Sequence, residues 1–292
     1  MPMRARPKLV QGVSALADRY DAFLLDQFGV LHDGTTPYDG VVPCLQALQA
    51  RGKATLVLSN SAKRSAHNLE RMARLGIAPS LLSGLISSGE AFHLGMADGA
   101  LARRLGTSCF VIAADSDRSL LDGLTIRIVE RIDDADFLLV IGLDSPRESS
   151  ATFLPLLQRA LARRLPMACA NPDLLRVMPG GVEEAPGSVA ARYEALGGTV
   201  LWFGKPHREV YRACFAALGE PPPARVLAVG DSMEHDIKGA RDASIDSLLV
   251  CTGIHAPELR DASGTDIRWD ALDRLSESVG AAPTYISARF SW

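Results

Sequence analysis

A chain of 292 residues with 31 basic and 34 acidic side chains, net charge −3, is long enough for one large or two moderate domains, and carries no basic excess to draw nucleic acid or an anionic membrane. Five cysteines, at 44, 109, 169, 214 and 251, lie far apart without a C-x-x-C, so neither a zinc site nor a disulfide framework is expected and reduced thiols fit. No apolar run approaches the roughly 20 residues that span a bilayer, and no apolar segment follows the basic first residues, so a soluble cytoplasmic protein is expected.

Along the chain, short apolar runs stop abruptly in polar residues or glycine at 23–25, 55–58, 110–113, 137–141, 200–203, 226–229 and 248–250. Such runs predict strands buried on both faces, as in a parallel sheet. Helical patterns lie between them. Ala62, Ala66, Leu69 and Ala73 share a face ahead of Gly76, a C-cap, and Leu154, Leu157, Leu161 and Leu165 follow three-four-four spacing. The alternation predicts an α/β, doubly wound parallel-sheet core. Polar residues with chemistry cluster in two blocks, 26–60 and 205–236, and the stretch between carries its own strands and helices. An inserted smaller α/β domain over 87–198 explains that gap and leaves 1–86 plus 199–292 as the core; Ser87-Ser88-Gly89 and Gly197-Gly198 punctuate the boundaries. The tail 281–292, with Pro283, Tyr285, Phe290 and Trp292, should pack on the body.

Ligands of an open parallel sheet sit outside the carboxyl ends of the strands, so the residues just after each run should converge. Run 23–25 ends at Asp26, 55–58 at Ser59-Asn60, 200–203 at Gly204-Lys205, and 226–229 at Gly230-Asp231. A carboxylate nucleophile, a hydroxyl, an ammonium and a second carboxylate are therefore expected in one crevice. Pro206 keeps Lys205 out of the following helix. Ser59-Asn60 also reads as a helix N-cap, which is compatible with phosphate binding because both use free N–H groups. Asp236 is expected in the first turn of the helix after Asp231, with Gly239 and Ala240 permitting close packing. Three neighbouring carboxylates, Asp26, Asp231 and Asp236, need a cation, and an all-oxygen set suits Mg²⁺. His207 and His235 read as surface or supporting residues rather than ligands.

Asp26 opening a D-x-x-G-V block, Ser59-Asn60, Lys205-Pro206 and Gly230-Asp231 with Asp236 together resemble the four motifs of the haloacid dehalogenase superfamily. The insertion, with Asn171-Pro172-Asp173 inside it, is similar to the α/β cap of subfamily IIA, the nitrophenyl-phosphatase and nucleotide-phosphatase group. The resemblance implies a Rossmannoid core and an aspartyl-phosphate on Asp26. It also implies that Ser59 and Lys205, with Asn60 and Gly29, hold the phosphoryl group, and that Asp26, Asp231 and the backbone carbonyl of Phe28 bind Mg²⁺, helped by Asp236. The implied partner is a small phosphorylated metabolite, with no nucleic acid and no membrane, and self-association through the cap is the expected route to a homo-oligomer.

The chain departs from the family at Phe28, where related phosphatases carry an aspartate that protonates the leaving group and then activates water. Three readings follow. The protein is a phosphohydrolase whose acid/base is His32 or Asp33, or is unnecessary for good leaving groups; or a weakly active relative that binds a phosphorylated ligand as a sensor; or a metal-independent dehalogenase-type hydrolase, against which Asp231 and Asp236 speak. Phosphate hydrolysis is the leading expectation. Substrate choice is assigned to turn-rich segments of the insertion, namely Asn171-Pro172-Asp173, Met178-Pro179-Gly180-Gly181 and Pro186-Gly187-Ser188, and Ser188 reads as the N-cap of a helix over 189–196.

Overall fold

The structure is a computed structural model that describes residues 6–114, 117–144, 147–178, 181–261 and 266–292. In chain order its strands are β1 (Lys8–Leu9), β2 (Ala22–Leu25), β3 (Ala54–Ser59), β4 (Gly84–Ser87), β5 (Ser108–Ile112), β6 (Arg127–Ile128), β7 (Phe137–Val140), β8 (Met167–Cys169), β9 (Leu175–Met178), β10 (Gly181–Glu184), β11 (Val200–Trp202), β12 (Val226–Gly230), β13 (Asp246–Val250) and β14 (Tyr285–Ser287). Every apolar run singled out in the sequence became a strand. The chain divides into two compact units: Met1–Ser59, Ala66–Ile86 and Lys205–Trp292 form the first, Asn60–Ser65 and Ser87–Gly204 the second.

The first unit holds a sheet of order β1-β14-β13-β12-β2-β3-β4. The pairings of β2 with β3 and β12, and of β13 with β12 and β14, are parallel. Successive side chains of a strand point to opposite faces, and both faces are covered here. Leu248 and Val250 pack with Phe23, Leu25, Leu45, Leu48, Val57 and Leu227 in one buried cluster, while Leu249 and Cys251 join Met233, Ile237, Ala271, Leu272 and Ile286 in another. The C-terminal tail does more than pack: Tyr285–Ser287 inserts as β14 between β13 and β1, and Phe290 is buried. All five cysteines are free and buried.

The second unit repeats the plan with a sheet of order β11-β8-β7-β5-β6, all described pairs parallel, and an antiparallel hairpin β9–β10. Leu138, Val140, Leu157, Met167, Cys169, Val189 and Tyr193 form its core. The second unit runs on to Gly204, five residues past 199, because β11 pairs with β8 through Val200–Met167, Leu201–Ala168 and Trp202–Cys169.

Two helices start or stop away from their expected positions for local reasons. The one expected over 154–165 is Leu154–Ala162; Arg164 takes a φ of 55° and turns the chain so that Leu165 is buried ahead of β8. The helix Pro186–Ala195 is capped at Ala185, three residues before the cap assigned to Ser188, with Pro186 in its first turn, where a missing N–H costs nothing, and the Ser188 hydroxyl donates to the Ala185 carbonyl at 2.7 Å. Residues 179–180 of the segment 178–181 lie outside the described residues.

Phe23 is fully buried in the first core cluster. Phe23→Ala is expected to lower stability by about 3–5 kcal/mol, read as a lower urea midpoint at unchanged slope.

Candidate functional site

In the first unit the carboxyl ends of β2 and β12 lie side by side, since the two strands pair in parallel with Leu25 opposite Val229. The next residue on β2 is Asp26, whose N–H donates to the Val229 carbonyl at 2.9 Å, and the residue after Gly230 is Asp231. Beyond it a π-type turn, Met233–Ile237, is capped by the Ser232 hydroxyl and places Asp236. One oxygen each from Asp26, Asp231 and Asp236 falls within 4.8 Å of the others. Ser59, the last residue of β3, stands beside β2 at the same edge.

Backbone shape makes this cluster possible. A Cβ at Gly230 would sit 2.0 Å from Asp236 Cγ, so only glycine lets that carboxylate fold back over the strand end. Gly29, at φ +89°, and Gly253 enclose Asp231, and a Cβ on either would come within 2.2 Å of its Oδ2. The Ile254 N–H donates to the same oxygen at 2.7 Å, and the Thr252 hydroxyl donates to the Gly29 carbonyl at 2.5 Å. The loop Thr252–Ile254 was not among the expected site segments. It follows the run 248–250, so the rule that found the other strand ends points to it as well.

Lys205 is buried and its ammonium donates to Asp26 Oδ1 and, at 2.8 Å, to Asp236 Oδ1. The route by which it arrives corrects the sequence expectation. The run 200–203 is a strand of the second unit's sheet, so Lys205 does not end a strand of the first sheet; it is where the chain re-enters the first unit, followed by the helix Arg208–Ala217. Asp236 is committed on both oxygens, its Oδ2 accepting the Ser232 N–H at 3.1 Å. Tyr211, on that helix, is a buried neighbour missed at sequence level: its hydroxyl occupies the space a Gly239 side chain would need, 2.3 Å from the missing Cβ.

Three carboxylates against one ammonium leave uncompensated negative charge in a dry place. Burial pushes the Asp26 carboxyl well above the carboxylate range, Lys205 pulls it back, and Asp236 and Asp231 push it further up. Burial first, then Asp236, raises Asp231 to about 6. For Lys205, burial acts against the ammonium, but Asp236 and Asp26 outweigh it and hold its proton more tightly than in water. An all-oxygen donor set with excess negative charge and glycine walls fits a hard divalent cation such as Mg²⁺.

The other expected residues separate. Asn60 falls in the second unit, where its Nδ2 donates to Asp173 at 2.7 Å, and the helix after it starts only at Ser65, whose N–H is taken by Glu90. Ser59-Asn60 is therefore no helix cap. The Gly29 N–H, expected at the phosphoryl group, donates instead to the His32 carbonyl at 3.0 Å. Phe28 is 58% exposed, its ring edge-on to His32 at 6.0 Å. Neither substitute acid is placed for the task. His32 is buried, accepts the Gly34 N–H on Nδ1 and is pulled down to about 4 by burial, then by Arg71. Asp33 accepts from the Thr35 and Thr36 N–H groups at 2.7 Å, a turn that holds its carboxylate below the usual range.

Within the second unit a cavity of about 250 Å³ opens at the carboxyl ends of β5 and β7, where the strand order reverses. Among its lining charges Lys63 pairs with Asp117 and Arg176 with Glu183, Asp173 accepts from Asn60, and no aromatic side chain is among its described lining residues.

Two family models match the chain: "haloacid dehalogenase-like hydrolase" over residues 23–127 and a HAD-hydrolase-like model over 202–277. The chain is 30% identical to mouse chronophin over 258 residues, covering 80% of this chain and 82% of that protein. It is 28% identical to a D-glycerol 3-phosphate phosphatase of Mycobacterium tuberculosis over 280 residues, 94% of this chain and 71% of the relative. Among solved structures, a haloacid dehalogenase-like hydrolase from Brucella suis superposes with a TM-score of 0.79 at 28% identity, covering 97% of this chain and all of that one. The glycerol phosphate phosphatase of M. tuberculosis, solved in complex with magnesium, gives 0.67 at 26% identity, covering 94% and 76%.

Lys205→Met removes the cation from a buried cluster of carboxylates and is expected to cost about 3–5 kcal/mol at pH 7 in chelator. Asp231 binds its proton more tightly folded than unfolded, so stability falls as pH rises from about 4 to 6. Thermal midpoints across pH 4–8 should show the variant's deficit shrinking toward pH 4; a deficit independent of pH contradicts the charge argument.

Proposed function

This chain belongs to the haloacid dehalogenase-like hydrolases, and we propose that it removes the phosphoryl group from a small phosphomonoester, carrying it transiently on Asp26 with Mg²⁺ as the metal. The observation that carries this reading is the convergence of Asp26, Asp231 and Asp236 on one point, with Lys205 bonded to two of them.

Phosphoryl transfer depends on positioning and on neutralising charge spread over the equatorial oxygens. Asp26 attacks phosphorus with a carboxylate oxygen; Lys205, bonded to it, favours the ionised form and works against the burial that pushes the carboxyl up. Lys205 lies between the nucleophile and Asp236, and from there it stabilises charge on the transferred group. Asp236 holds Lys205 and the Ser232 N–H, so its contribution is to fix the ammonium. Ser59 at the end of β3 offers its hydroxyl to a phosphoryl oxygen. Asp26, Asp231 and the Phe28 carbonyl would hold a magnesium ion, which would supply the remaining neutralisation and offset repulsion between Asp26 and an anionic substrate. Dividing hydrolysis between formation and breakdown of an aspartyl-phosphate lowers each barrier. A second-unit cavity of about 250 Å³, whose lining Lys63 and Arg176 are paired with Asp117 and Glu183, favours a small monoester over a polyanion.

Incubation of the protein with Mg²⁺ and a panel of phosphomonoesters should release phosphate, and chelator should stop it. Asp26→Asn is expected to lose on the order of 10⁴-fold. Undiminished turnover in that variant means the nucleophile is misassigned; thermal stabilisation by phosphorylated ligands without any turnover supports a binding protein instead.

A further inference from the structure

The loop that follows Asp26 contains no group able to give up a proton to a departing oxygen. Phe28 presents an apolar ring to solvent, 58% exposed. The groups that act most strongly on Asp26 are Lys205, Asp236 and Asp231; the Tyr211 hydroxyl also feels Asp26, but burial and then Asp236 push it well above the usual phenol range, so it holds its proton. Lys205 is a poor acid because two carboxylates hold its protons. Asp236 accepts on both oxygens. Asp231 accepts from Ile254 and belongs to the proposed metal set. Further along the loop, the His32 Nδ1 accepts from Gly34 while its Nε2 is enclosed, and the Asp33 Oδ1 accepts from the Thr35 and Thr36 N–H groups, which hold that carboxylate ionised and below the usual range. Gln27 is buried and carries no ionisable proton.

We propose that the substrate is a phosphomonoester or mixed anhydride whose leaving group departs as a weakly basic anion, an acyl, aryl or enol phosphate, rather than the phosphate ester of an ordinary alcohol. This rests on the phosphohydrolase reading above and narrows it. In the first step a bond forms between an Asp26 oxygen and phosphorus, the bond from phosphorus to the substrate's bridging oxygen breaks, and its electron pair leaves on a carboxylate, phenolate or enolate that needs no proton. In the second, water adds to phosphorus, the bond to Asp26 breaks, and the water proton passes to the phosphate product or to solvent. An alkoxide leaving without a proton forfeits the about 10²- to 10⁴-fold that a positioned acid provides. The exposed Phe28 ring also offers an aromatic leaving group an edge or face to pack on.

The test uses the full chain with Mg²⁺ and a series of substituted phenyl phosphates, with acetyl phosphate and glycerol 3-phosphate at the two extremes. The logarithm of kcat/KM is expected to fall steeply as the leaving group becomes more basic, with glycerol 3-phosphate about 10²- to 10⁴-fold below acetyl phosphate. Phe28→Asp, shown by circular dichroism to be folded, is expected to raise glycerol 3-phosphate turnover by about 10²-fold or more and to flatten the slope. A flat slope in the natural protein, or an unchanged slope in folded Phe28→Asp, overturns the inference and leaves the phosphatase reading standing, with the proton then coming from elsewhere, the second unit included. Turnover of no member of the series, acetyl phosphate included, removes both.

Discussion

Three buried carboxylates share a single ammonium at the carboxyl edge of the first sheet, and that imbalance governs the rest of the site. A dry pocket penalises each extra charge, so Asp26 and Asp231 are held away from the ordinary carboxylate range until a further cation arrives. The same imbalance would give the cluster affinity for a divalent ion and suits it to chemistry in which charge develops on phosphorus. Packing the cluster tightly required giving up side chains: Gly29, Gly230 and Gly253 are all within a bond length or so of occupying space that a carboxylate needs.

Around this charged centre the polar groups are committed. Asp33 closes a turn, His32 accepts from the backbone, and Asp236 is divided between Lys205 and Ser232. Commitment fixes geometry, and it also removes freedom to exchange protons. The site therefore stabilises negative charge well while offering the leaving side little more than an apolar ring. Rigid electrostatics of this sort suit reactions in which positioning dominates.

Both units use the same device, a parallel sheet whose polar residues gather past the carboxyl ends of its strands. In the first unit those residues are charged and unbalanced; in the second they line a cavity where Lys63 pairs with Asp117 and Arg176 with Glu183.

Local patterns in the sequence were enough to identify the buried strands, because a run covered on both faces is apolar throughout, and they pointed to Asp26, Ser59 and Asp231, which follow such runs directly, and to Asp236 in the turn after Asp231. Sheet membership was not legible, since pairing is a long-range property: β11 looked like a strand of the first sheet and belongs to the second, so Lys205 reaches Asp26 by re-entry of the chain rather than at a strand end. Likewise Asn60 adjoins Ser59 in sequence yet bonds to Asp173, more than a hundred residues on, and the loop Thr252–Ile254 completes the cradle from the far side of β12. Residue type and order determined what chemistry this chain carries. Only the folded backbone decided which groups are free to perform it, because burial and hydrogen-bond partners are set by segments distant in sequence.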